Sequence, residues 1–107
     1  MALSWPLSSA AINFATAGDQ TLVTGVAGQI VTVYKLFLVS SLAATLTFKD
    51  GTGGTALTGP MSIAANGSLT FPFDTTAWFF ASPGNNFVLT QTTTTSQISG
   101  RIYYSQR

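Results

Sequence analysis

The chain has 107 residues, 46% of them hydrophobic, which is the size of one domain with enough apolar surface to fold without metal or disulfide. Only 7% are charged, and a net charge of +1 supplies no field to gather a polyanion, which disfavours nucleic-acid binding through a basic surface. With no Cys, no His and no Glu, the chain lacks a thiolate nucleophile, the usual general base and the usual zinc ligands.

The opening residues, MALSWPLSSAAINFATAG at 1–18, read as an N-terminal arm or edge strand ahead of a β-sandwich domain over 19–107. They lack a basic start and a continuous apolar stretch, so no secretory signal is expected. No run in the chain reaches the ~18 apolar residues of a membrane span. Trp5-Pro6 stands in a segment poor in pattern, where a bulky aromatic either folds back onto the sandwich or anchors a partner. Trp5, Pro6 and Leu7 are the candidate docking residues.

β-branched and aromatic runs with period-two alternation then follow between turn signals, and no window carries a helical stripe over three turns. A weak strand pattern lies near 11–16 and stronger ones at 21–26, 29–40, 44–49, 55–63, 68–73, 77–81, 86–92 and 97–105. About eight short strands in one domain predict an all-β, antiparallel sandwich or barrel. In 30–39 strict alternation expects Ile30, Tyr34, Leu36 and Leu38 on one face, and Val31, Val33, Phe37 and Val39 with Lys35 on the other. Both faces are apolar, so the strand needs cover on both sides, and a small sandwich has few spare loops to give it. Another subunit is the favoured cover.

Further along, 55–73 reads as a hairpin turned at Asn66-Gly67, with Leu57, Met61 and Ile63 facing Leu69, Phe71 and Phe73 on the core side. Trp78-Phe79-Phe80 cannot all point inward from one strand, so at least one meets a loop, a neighbour or a ligand. Tyr34, Phe37, Trp78 and Phe80 are the candidate oligomer contacts. The patch TQTTTTSQ at 90–97 reads as a hairpin with exposed threonines rather than a glycan or partner surface.

Candidate chemistry is sparse. Asp19, Asp50 and Asp74 each stand beside a turn, where a carboxylate accepts local backbone N–H bonds. KDGTGG at 49–54 looks superficially like an anion nest or calcium loop but lacks further acidic ligands, so a plain turn is the reading. A Ser-Lys pair using Lys35 or Lys49 has no supporting motif. No catalytic, metal or cofactor residues are assigned, and the chain is expected not to be an enzyme.

The segments AATLTFKDG at 43–51, ALTGPMSIAANGSLTFPF at 56–73, WFF at 78–80, NNFVLTQT at 85–92 and SGRIYY at 99–104 resemble, in that order, small virion proteins of tailed bacteriophages. Leu57, Gly59, Pro60, Asn66, Gly67, Trp78, Phe79 and Gly100 match the pattern. The resemblance implies a sandwich or jelly-roll module that assembles as a homotrimer, in some relatives as a decoration or cement protein on the capsid. A decoration protein of this kind would dock on the major capsid protein through the N-terminal arm and one end of the sandwich. It would be made in the host cytoplasm and sit on the virion surface, with no nucleic-acid or membrane partner. The runner-up readings are a tail, baseplate or head-fibre module and a host-glycan-binding β-module.

Overall fold

The structure, a computed structural model, describes residues 7–107; Trp5 and Pro6, expected to dock a partner, lie outside them. The described residues form ten strands and no helix: β1 (Ser8–Phe14), β2 (Gly18–Val23), β3 (Val31–Ser40), β4 (Ala44–Asp50), β5 (Thr55–Ala56), β6 (Met61–Ile63), β7 (Ser68–Phe71), β8 (Phe79–Phe80), β9 (Phe87–Gln91) and β10 (Ile98–Gln106). Two antiparallel sheets enclose one core. The first runs β1-β10-β3-β7, with β8 also on β3; the second runs β2-β9-β4-β5, with β6 also on β4.

β3 sets the architecture. It pairs with β10 along its length, but Tyr103 lies opposite Lys35 and Tyr104 opposite Val33, so Tyr34 is an extra residue on β3. A bulge of this kind shifts the side-chain alternation by one position. The faces expected from strict alternation are therefore wrong. Val31 and Val33 point inward before the bulge and Leu36 and Leu38 after it, all four at 0% exposure and in one core cluster. Lys35, Phe37 and Val39 are left on the outer face, and Tyr34 stands outside the core cluster.

The 55–73 hairpin is overturned too. Gly59-Pro60 divides the first run into β5 and β6, both on β4, while β7 lies in the other sheet against β3. Asn66, at φ 61°, and the Gly67 N–H bonded to Ala64 O make the corner by which the chain changes sheets. Leu69 and Phe71 still pack on the core, but Phe73, past Pro72, is exposed. The 90–97 patch likewise joins two sheets rather than two arms of a hairpin. Its Ser96 is buried, with its hydroxyl 2.8 Å from that of Ser40, and Gln91 Nε2 donates to the Thr16 and Ser96 carbonyls at 3.0 and 2.9 Å.

Aromatic packing clamps the sheets together. Phe48 and Phe87 of the second sheet lie at centroid distances of 5.0 and 5.5 Å from Phe79 of the first, and Phe71 meets Phe48 edge-on at 5.8 Å. Such pairs contribute ~0.5–1.5 kcal/mol each beyond the burial of their rings.

At Gly100, opposite Leu38, β10 leaves no room for a side chain against β3. A Cβ there would stand 1.9 Å from the Phe37 carbonyl oxygen and 2.7 Å from the Leu38 Cα, both backbone atoms that cannot swing aside. Gly100→Ala is expected to lower stability by at least ~1–3 kcal/mol, the usual cost of overpacking; urea unfolding followed by tryptophan fluorescence measures it.

Candidate assembly surface

The two sheets have unlike outer faces. On the second, cross-strand rows carry Thr45, Thr47, Thr90 and Thr21, with Lys49 beside them. Val88 is fully buried there yet belongs to no core cluster. It lies opposite Thr21 and Lys49, where the loop after β4 folds across β9. Asp19 holds that loop down, accepting from the Gly53 N–H at 2.6 Å, from Lys49 Nζ at 3.2 Å and from the Thr90 hydroxyl. Hydroxyls and one ion pair thus hydrate or seal this side.

The first sheet keeps apolar groups in the open. Phe37 and Val39, put outward by the bulge, are 40% and 45% exposed, and Phe80 is 57% exposed. Phe80 pairs with Thr32 and so faces outward, while its neighbour Phe79 pairs with Val33 and faces the core. Trp78 takes a third direction. Its ring meets Phe71 edge-on at 5.2 Å and its indole N–H donates to the Pro72 carbonyl at 2.7 Å, leaving the other side to solvent. The WFF run therefore divides among loop, core and surface.

Tyr34, expected to meet another subunit, is only 7% exposed and stacks on Phe73 at 6.1 Å. Phe73 is the exposed group at that point. Leu7, the described member of the docking trio, is half-buried just before β1. The structure thus places Phe37, Trp78 and Phe80 in the open and adds Val39, on the same face as Phe37, and Phe73, which alternation assigned to the core. For Phe73 a signal was present in the preceding Pro72, which cannot donate to a ladder and ends the strand before it.

Positive charge borders this face. The Lys35 ammonium lies 5.3 Å from the centre of the Tyr103 ring, and Arg101 donates to Ser9 Oγ at 3.0 Å. The Asp74 carboxylate stands at the far margin, where its own N–H bonds the Tyr34 carbonyl, and it accepts from the Thr76 N–H and hydroxyl. Among the described residues no cleft encloses a ligand, and no three metal-binding side chains come together.

Only Asp74 makes the local turn expected of all three carboxylates. Asp50 instead bonds groups remote in the sequence, the Ser82 N–H at 2.8 Å, the Ser82 hydroxyl and the Asn85 amide. Asp19 does the same toward Gly53, Lys49 and Thr90. Each carboxyl is held below its ordinary value. For Asp19 the Thr90 hydroxyl is the largest cause, followed by the Gly53 N–H. For Asp50 desolvation pulls upward but is outweighed by the Ser82 and Asn85 donors. For Asp74 the Thr76 hydroxyl leads.

A carboxyl with a depressed folded-state pKa contributes stability that is present above its unfolded value and lost as pH falls through the folded one. The chain has no histidine, the side chain whose ordinary pKa falls between about pH 5 and 8. Thermal unfolding is therefore expected to be nearly independent of pH from about 8 to 5 and to shift downward only below about pH 4. Asp19→Asn should weaken that acid dependence, as scanning calorimetry across the range would record.

Comparison with protein-family models, with curated proteins and with solved structures found no match to the chain.

Proposed function

We propose that the chain is a capsid decoration protein of a tailed bacteriophage, a homotrimer that binds the assembled head through the major capsid protein and stabilises it. The observation that carries this reading is the asymmetry of the outer faces, one hydroxylated and sealed, the other displaying Phe37, Val39 and Phe80, with Phe73 and Trp78 exposed at its margin. Exposed apolar groups gathered on one side mark an interaction surface. Association between copies covers such surfaces, and closed cyclic assemblies are a common form of it.

The fold proposed is a jelly roll. Its support is the strand order: β1, β10, β3 and β7, with β8, make one sheet and β2, β9, β4 and β5, with β6, the other, so six of the nine connections cross between sheets. Jelly rolls, double sheets whose basic form has eight strands, are frequent in viral shells. The sequence resemblance to phage virion proteins supports a place on the virion, and the capsid surface is the position proposed. Cementing then follows from linkage. A protein that binds the assembled shell but not its free subunits adds its binding free energy to the assembled state alone.

Native mass spectrometry at micromolar concentration and co-sedimentation with emptied, expanded heads test the proposal. A trimer that pellets with heads supports it; a monomer that stays in the supernatant overturns it, and antibody label on the tail of intact particles makes it a tail module instead. Paired Phe37→Ser and Val39→Ser changes on the exposed face should alter stability by no more than about 0.5 kcal/mol each. The same pair should weaken assembly or head binding by on the order of 10-fold or more.

A further inference from the structure

A closed ring of identical subunits needs two different surfaces on each copy, one meeting the other on the next copy. The first sheet has two unlike margins. On one side β1 runs seven residues in unbroken register with β10, without a charge, a proline or a bulge. Such an edge presents outward N–H and C=O groups to any strand that approaches, and proteins normally blunt it. The other three edges are blunted. β2 carries Asp19 and a register break. β5 and β6 have two and three residues and flank Pro60, and β7 and β8 have four and two with Pro72 between them.

The margin opposite β1 offers side chains in place of a strand edge. Phe73, Trp78 and Phe80 are exposed around the turn that Asp74 closes with Thr76. Charge divides the margins in the same way. Arg101 stands opposite Ala11, which is too small to block it, and its guanidinium reaches onto β1 to bond Ser9. Lys35 leans to the same side over Tyr103. A two-fold contact at either margin would set like charges together, Arg101 near Arg101 or Asp74 near Asp74. A head-to-tail contact sets Arg101 toward Asp74.

Resting on the trimer reading, we infer that the partner of the β1 margin is the opposite margin of a second copy. The β1 edge with Arg101 receives the 73–80 segment of the next subunit with Asp74, and three such contacts close the ring. The flat edge of Ser9 and Ala11 gives the neighbour's aromatic rings room to lie against it, and the charge pair fixes the direction of travel around the ring.

Charge reversal tests this. Arg101→Glu, Asp74→Lys and the double variant are compared with the unaltered chain by native mass spectrometry over a dilution series, with thermal melts confirming that each folds. Each single reversal should weaken the trimer by on the order of 10-fold or more, because it sets like charges together at the contact. The double variant should return to within about 3-fold of the original. Asp74→Asn, which keeps an acceptor for the Thr76 turn and removes only the charge, should weaken the trimer even if Asp74→Lys fails to fold. A trimer untouched by either single reversal, or a folded double variant no better than the worse single one, overturns the head-to-tail contact and leaves the trimer standing. An unaltered chain that is monomeric throughout overturns the trimer reading itself.

Discussion

The extra residue on β3 governs much of what this protein presents to its surroundings. β3 is central to the first sheet, with β10 on one side and β7 and β8 on the other. A regular ten-residue strand with this sequence would have to send either Val31 and Val33 or Leu36 and Leu38 to the surface. The bulge at Tyr34 lets all four enter the core. Burying an aliphatic side chain stabilises by ~1.5–3 kcal/mol, so two additional buried residues outweigh the disturbance of one ladder position. The consequence falls on the other face, where Lys35, Phe37 and Val39 are brought outward together.

Around that strand, the two sheets are held by different means at different depths. In the middle the Phe48, Phe79 and Phe87 rings join them through contacts that exclude water. At the periphery, with so few charges available, single carboxylates do the tying. Asp50 fastens the end of β4 to the Ser82–Asn85 loop, and Asp19 fastens β2 to β4, β9 and the glycine loop. At the opposite end Gln91, Ser40 and Ser96 form a buried polar knot. Neutral hydroxyls and amides take much of the place that ion pairs occupy in more highly charged domains.

These economies bear on the proposed role. A surface whose second sheet is closed over with threonine hydroxyls, and whose first sheet sets Phe37, Val39 and Phe80 in the open among polar neighbours, has one side suited to water and one able to meet protein. An arrangement of this kind lets a subunit remain folded alone while gaining interface free energy only where neighbours or a shell are present. The uninterrupted β1 edge and the aromatic margin opposite it give the two unlike surfaces that a closed ring requires.

The sequence by itself determined the all-β class, the turns at Asp50-Gly51 and Asn66-Gly67, and most strand positions, because β-branched alternation and glycine conformations are local properties. It also marked Phe37, Trp78 and Phe80 as residues too apolar for their surroundings. Pairing was not legible. Asn66-Gly67 suits a hairpin and an inter-sheet corner equally, and only the competition of β3 and β4 for partners decides which forms. Nor could alternation reveal the bulge, since whether Tyr34 is counted or skipped depends on the β10 residues opposite it. Tertiary structure alone decided which side of β3 faces solvent, that Phe73 covers Tyr34, and that Asp19 and Asp50 reach distant loops, because each depends on groups brought together by contacts between strands far apart in the chain.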